Sequence, residues 1–448
     1  MSLLIQKFGG TSVADPESLR NAARRIATAR EAGHSVVAVV SAMGGSTDGL
    51  VGLAAQLSQR PADRELDLLL STGELASASA LSIALCEVGV SAVSFTGHDA
   101  GIITDGVHGR ARIVDVDPSL LEMHLDEGTV PVVTGFQGIS STSGELTTLG
   151  RGGSDTTAVA LTAALGATAC EIYTDIEGVF TADPRYVPGA YKLDCLAYED
   201  MCELAVGGAK ILAHSSVEYA STYQVPVHVR SSFDTSDGTW VNNHFCGGPA
   251  EIFSERFVPT GVAHQTGQSH CRLGGVEEGT AAAVFAALAD AAIPLDMVSF
   301  RTQEDALLFT VQTGDQPRVS GVLGEMPRGT FTSCDWSEPV GKVSLVGRAL
   351  SAHPRILSQV LESLRDSGVA LGDVAVYAKR ISVTCREDAV ISAVATLHKA
   401  FLERQQENAG TGLARLGWQA SKALPARRPD KAMRAAGNTL VRTAKRAN

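Results

Sequence analysis

Short apolar runs alternate with stretches of helical spacing through the first 245 residues. Leu3 to Ile5 and Ser35 to Val40 read as strands, and Asp15 to Ala32 between them repeats its apolar residues on one helical face. Asp15 suits the N-cap, Pro16 the first helical position and Gly33 the stop. The same unit recurs: Ala92 to Phe95, Val130 to Thr134, Cys170 to Tyr173 and Val227 to Val229 read as buried strands, and Ser154 to Gly166 and Tyr198 to Leu212 as helices. Such alternation predicts an α/β sandwich around a mainly parallel sheet, with ligands at the carboxyl ends of its strands.

The pattern changes after a stretch crowded with Pro, Gly, Asn and Asp, from Asp234 to Pro249. Strand, helix, strand, strand follows from about Gly261 to Thr313, and a second such unit runs from Lys342 to Leu402, with helices at Gly279 to Ala291 and Pro354 to Ser367. Two small α+β modules are expected. The domain reading is therefore 1–245, a linker at 246–260, modules at 261–335 and 336–404 with interleaving of the two left open, and a tail at 405–448.

Composition narrows the function classes. A chain of 448 residues with 44% hydrophobic residues can build several cores. Its net charge of −12 argues against a protein built to hold phosphate backbones, and no nucleic-acid partner is expected. The tail departs from that balance, with nine basic and two acidic side chains. No uninterrupted apolar run reaches the 18 or so residues of a membrane span, and Lys7 follows Met1 to Ile5 too soon for a secretory signal, so a cytoplasmic protein without a membrane partner is expected. The eight cysteines include no C-x-x-C pair, so they are expected to be reduced, with no metal site of their own.

Three clusters carry chemistry. Lys7-Phe8-Gly9-Gly10-Thr11-Ser12 lies between the first strand and the first helix, where glycines admit a phosphate and Lys7 supplies charge; a plain tight turn is the alternative. No Walker A spacing is present there. Thr147 to Thr157 contains Gly150-Arg151-Gly152-Gly153-Ser154-Asp155, a guanidinium between glycines at a helix start, suited to clamping a carboxylate while Ser154 holds another oxygen. Tyr173 to Arg185 offers Asp175, Asp183 and Arg185 on a loop with Gly178 and Pro184, and Lys210 follows.

In this order the clusters resemble the aspartokinases, over residues 2 to 402. Val40-Ser41-Ala42-Met43-Gly44, Ser71-Thr72-Gly73-Glu74, Phe95-Thr96-Gly97 and Val229-Arg230-Ser231-Ser232 extend the likeness. The resemblance implies an amino-acid-kinase fold followed by two ferredoxin-like ACT domains, and ATP-dependent phosphorylation of the side-chain carboxylate of L-aspartate with Mg²⁺, the first step toward the aspartate-derived amino acids. It implies Lys7 and Asp155 as the transfer residues. Ser41, Thr47, Glu74, Arg151 and Ser154 would bind aspartate, with Arg151 on its α-carboxylate and Glu74 on its ammonium. Gly9, Gly10, Tyr173, Thr174, Asp175, Phe180, Asp183, Arg185 and Lys210 would bind the nucleotide. It also implies an amino-acid effector and a homo-oligomer paired through the ACT domains.

The chain departs from the family pattern at Ser215, where relatives carry a basic residue. Ser299-Phe300-Arg301-Thr302 stands where the family pattern has a Gln-Asn pair and a longer hairpin, and Val374 to Ala378 where it has small hydroxyls and a carboxylate that could hold an amino acid, so feedback inhibition by lysine and threonine is expected to be weakened or absent. A same-fold kinase for another acidic amino acid, or a catalytically weak regulatory subunit, are the alternative readings.

Overall fold

The computed structural model describes residues 2–243, 257–291, 293–350 and 352–403. The predicted tail and most of the predicted linker lie outside them. The first elements are β1 (Leu3–Phe8), α1 (Pro16–Glu31), β2 (Ser35–Val40), α2 (Ser46–Leu57), α3 (Asp63–Glu87), β3 (Ala92–Phe95), β4 (Ile102–Thr104), β5 (Ile113–Val116), α4 (Ser119–Asp126), β6 (Val130–Thr134), β7 (Gln137–Ser140), β8 (Leu146–Thr148), α5 (Gly153–Leu165) and β9 (Ala169–Thr174). After them come β10 (Cys195–Leu196), α6 (Tyr198–Gly207), α7 (His214–Tyr223), β11 (Val227–Ser231) and β12 (Thr239–Val241).

The described residues divide into two units, 2–176 with 219–236, and 177–218 with 237–403. Residues 177–218, placed with the first domain by the sequence reading, group with the C-terminal modules.

In the first unit a parallel sheet runs in the order β11-β9-β1-β2-β6-β3. Helices α1 and α3 cover one face: Leu19, Ala23 and Ile26 of α1 and Ala78, Leu81 and Leu85 of α3 pack with Phe8, Val36, Ala38, Val40 and Val132. Helix α1 starts where its sequence dictates, with Asp15 Oδ1 accepting from the backbone of Glu17 and Ser18 at 2.9 and 2.8 Å. A smaller sheet, β5-β4-β7-β8, supports the turn that leads into α5.

Helix α3 was not legible as an amphipathic pattern because its buried face carries Asp67, Ser71, Glu74 and Ser77 among its leucines. By length and composition alone it is long and apolar enough to cross a membrane, but half of its most apolar stretch is buried in the fold. Those buried polar groups belong to a site, as shown below.

In the second unit β10 pairs with β12, a strand inside the stretch crowded with turn formers. The two modules share one sheet through a long strand, β13 (Val258–Gly274). Its first part pairs with β17 (Val340–Arg348) and its second with β15 (Ala306–Gln312) and β16 (Ser333–Trp336). The sheet order is β14-β15-β13-β17-β19-β18, with β14 (Asp296–Arg301), β18 (Leu371–Val376) and β19 (Arg380–Arg386). Among the cysteines, Cys195 is disulfide-bonded, which corrects the expectation that all are reduced.

Helix α6 is tied to this sheet by charge. Asp200, 1% exposed, accepts from Arg348 Nε at 3.2 Å and Lys379 Nζ at 3.4 Å, while Glu203 accepts from Arg380 Nε at 2.9 Å. Replacing Asp200 by Ala removes the buried carboxylate that these two partly buried cations share. We expect a loss of about 2–3 kcal/mol in stability, measurable by urea unfolding.

Candidate active site

Strand ends set the geometry of the first unit. Lys7, one residue from the end of β1, points to the face covered by α5, and its Nζ lies 2.6 Å from Asp155 Oδ1 in the first turn of that helix. Both side chains are 10% exposed. At this depth the ammonium and carboxylate fix each other, and the α5 macrodipole adds to the hold on the carboxylate.

The neighbouring turns pack at glycine distances. A Cβ at Gly10 would meet Ala42 O at 3.0 Å, and one at Gly73 would meet Ala42 Cβ at 2.8 Å, so the β1 turn, the β2 turn and helix α3 meet at contacts that favour glycine. Gly9 N donates to Tyr173 O at 3.0 Å and Ser41 N to Phe8 O at 3.1 Å. Ser41 and Thr47 are half-buried beside this point, Thr47 in the first turn of α2. Ser154 is buried against Gly135, which follows β6.

Glu74 comes to the same point from α3. Its Oε1 accepts from Ala42 N at 3.0 Å, while Oε2 is buried without a hydrogen-bond partner. Burial pushes its pKa up to about 7, with the Ala42 N–H pulling the other way. A buried carboxylate with one filled and one unfilled oxygen is a receptor for a donor-rich cation.

Arg151 sits between Gly150 and Gly152, whose φ values of 74° and 73° are left-handed, so the guanidinium stands on a tight double turn at the start of α5. It is exposed, with no ion pair among the described residues. The support beneath this turn was missed by sequence reasoning. Asp67, fully buried on α3, accepts from Gly109 N at 3.0 Å and from Thr148 Oγ1, and lies 2.8 Å from His108 Nδ1. The only signal in the sequence is an aspartate in the second turn of a helix whose first turn is already charged, which reads as a surface residue.

Tyr173, expected at the nucleotide, turns its ring away from Lys7. The Tyr173 ring stacks on Phe8, centroids 5.0 Å apart, and its hydroxyl donates to Glu171 Oε2 at 3.1 Å, so it occupies the face opposite Lys7. Strand alternation explains this: Tyr173 pairs in register with Phe8, not with Lys7. Thr174 is half-buried and Asp175 exposed at the end of β9, with Thr174 Oγ1 donating to Asp175 Oδ1 at 3.1 Å.

In the second unit, Arg185 donates to both oxygens of Asp183, at 2.9 Å from Nε and 2.6 Å from Nη2, and this pairing holds the Asp183 carboxyl below its usual range. Phe180 is half-buried and pairs as a bridge with Lys192. Lys210 is exposed.

Residues 2–231 match the model of the amino acid kinase family. The aspartokinase of Corynebacterium efficiens is 45% identical over 424 residues, covering 92% of this chain and all of that protein. Aspartokinase 2 of Bacillus subtilis is 42% identical, covering 90% of this chain and 98% of that one. Among solved structures, E. coli aspartokinase III in complex with aspartate and ADP is similar with a TM-score of 0.74 and 26% identity, over 89% of this chain and 99% of that one. The same protein in complex with lysine and aspartate gives a TM-score of 0.66 at 25% identity, over 89% and 99%.

Proposed function

Because this chain belongs to the aspartokinase family and phosphorylates aspartate, we propose that Lys7 and Asp155 carry the transfer and that Glu74 and Arg151 hold the amino acid. The single observation that carries the second half is the unpartnered, buried Oε2 of Glu74. An α-ammonium supplies what it lacks, and Arg151, without an ion pair among the described residues, takes the α-carboxylate as a bidentate fork. Ser41, Thr47 and Ser154 complete the polar wall.

The side-chain carboxylate of aspartate is the nucleophile. It is ionised at neutral pH, so no general base is needed. Its oxygen forms a bond to the γ-phosphorus of ATP as the bond to the β,γ-bridging oxygen breaks, giving 4-phospho-L-aspartate and ADP. Lys7 Nζ meets the charge that grows on the phosphoryl oxygens, and Asp155 holds that ammonium in place. Gly9 and Gly10 let the backbone approach the phosphates.

For the nucleotide, Thr174, Asp175, Phe180, Asp183, Arg185 and Lys210 are carried forward on their motif. No group of three acidic, His or Cys side chains suited to a metal occurs among the described residues. Mg²⁺ would be held mainly by the nucleotide phosphates and neutralise their charge. We also assign the second unit an amino-acid effector and a role in homo-oligomer formation. Leu371, Val374 and Val376 on edge strand β18 support the latter, being 37–49% exposed.

Glu74 makes the aspartate step pH-dependent. An ammonium on Oε2 favours the ionised carboxyl, so aspartate binding expels a proton wherever free Glu74 is protonated. KM for aspartate is expected to fall as pH rises from about 6 to about 8, through the Glu74 value of about 7. Stability of the free enzyme runs the other way. Its folded Glu74 binds a proton more tightly than the unfolded chain does at 4.5, so stability falls as pH rises from there through about 7. Glu74→Gln should flatten both profiles and raise KM; a KM slope unchanged in that variant would remove Glu74 from the ammonium site.

A further inference from the structure

Beyond the aspartate and nucleotide sites, we propose that the open cleft between α1 and strands β1, β9 and β11 binds a small α-amino acid. The cleft lies on the face of the sheet opposite Lys7 and has a volume of about 550 Å³, ample for such a ligand. Its floor is Gln6 and Glu171, and its rim carries Arg24, Arg25 and Arg230.

The floor is a built polar site. Glu171 accepts from Gln6 Nε2 at 2.8 Å, from the Tyr173 hydroxyl at 3.1 Å and from Arg230 Nη1 at 3.0 Å. Three donors on one buried carboxylate fix its orientation, and they fix the amide of Gln6 as well. With Nε2 committed to Glu171, Gln6 Oε1 must face away from it. That oxygen is buried in a side chain only 2% exposed and has no hydrogen-bond partner. Leaving such an acceptor unfilled is unfavourable, so the position calls for an N–H donor.

The rim supplies the other charge. Arg25 donates to the carbonyls of Ser232 and Asp234, at 3.0 Å for the former, and its guanidinium lies 5.1 Å from the centre of the Tyr173 ring. Arg24 donates to Asn21 Oδ1 at 2.7 Å. Neither makes an ion pair among the described residues, so three guanidiniums face a single carboxylate, in a chain whose net charge is −12. A local positive rim above an unfilled acceptor matches a zwitterion, its carboxylate on Arg24 and Arg25 and its ammonium on Gln6 Oε1 with Glu171 beneath. Occupancy would reach the reaction through Tyr173, whose carbonyl accepts from Gly9 N at 3.0 Å and Ser12 Oγ at 3.3 Å.

The test is calorimetric titration of the full chain with each proteinogenic amino acid in turn, in the presence of saturating aspartate and ADP, repeated on Arg24→Gln. Arg24 is exposed, so this variant keeps the fold, and effector binding in the second unit is equal in both proteins and cancels. We expect at least one amino acid to bind about tenfold more weakly to Arg24→Gln, and the same binding to be lost in Gln6→Leu. Identical binding isotherms in wild type and Arg24→Gln overturn the proposal. So does a difference seen only with inorganic phosphate or excess ADP as titrant, which would mark the cleft as a phosphate site. The outcome is independent of the roles given to Glu74 and Arg151, because aspartate turnover is read separately in each variant.

Discussion

Lys7→Met is expected to lower kcat by roughly 10³-fold while leaving KM for aspartate within a few-fold of wild type. The ammonium is only 10% exposed and lies 2.6 Å from Asp155, so neither water nor another cation takes its place when it is removed. The lost charge matters most when the phosphoryl oxygens are most negative, which is why the defect should appear in kcat rather than in substrate capture. Asp155 is then left buried without its counter-ion, and stability should fall as well. Lys7→Met combined with Asp155→Asn separates these effects. Stability should recover in the double variant because both charges are gone, while kcat stays low. Steady-state kinetics with thermal melts on the three proteins check this, and a kcat within about tenfold of wild type in Lys7→Met would remove the lysine from the transfer step.

Arg151→Ala should produce the opposite signature. KM for aspartate is expected to rise by about 10²-fold or more, with stability changed by less than about 0.5 kcal/mol, because the guanidinium is exposed and makes no ion pair among the described residues. Arg151→Lys should recover little, since a point charge cannot reproduce a planar fork on a carboxylate. The acceptor range gives an independent reading. If Arg151 grips the α-carboxylate, aspartate analogues lacking that group should be turned over nearly as well by the variant as by the wild type. A wild-type preference for aspartate that persists undiminished in Arg151→Ala would sink the assignment.

Much of the frame was legible because local chemistry and tertiary position agree. Asp15, Pro16 and Gly33 bound a helix at Pro16–Glu31, and the run Ser35–Val40 is a buried strand with those same ends. The glycines around Arg151 announced a turn that only left-handed residues can make. Failures came where a polar residue is buried for a purpose. Helix Asp63–Glu87 hides Asp67 and Glu74 on its inner face, so its periodicity is blurred and only the Ser71 to Glu74 motif pointed to it. The side taken by the Tyr173 ring was hidden for another reason. The motif fixes its place at the end of a strand, but pleat alternation decides which face its ring takes, and Phe8 claims it for the side away from Lys7. Predicted helix Tyr198 to Leu212 stops at Gly207 because Gly208 adopts a φ of 116°.

The contacts of Gly10 and Gly73 on Ala42 bear on how this enzyme can change its choice of substrate. With 3.0 Å and 2.8 Å between the imagined side chains and Ala42, no natural residue larger than glycine fits at either place without moving a backbone. On that side the proposed acceptor pocket is therefore walled by backbone and small side chains with little room to extend. A lineage or a laboratory selection seeking a longer acceptor has to work through the turn bearing Arg151 and the first turn of Ser46–Leu57, where Thr47 stands. Substitutions at the glycines must shift their neighbours, so new specificities should be found in the loops opposite them.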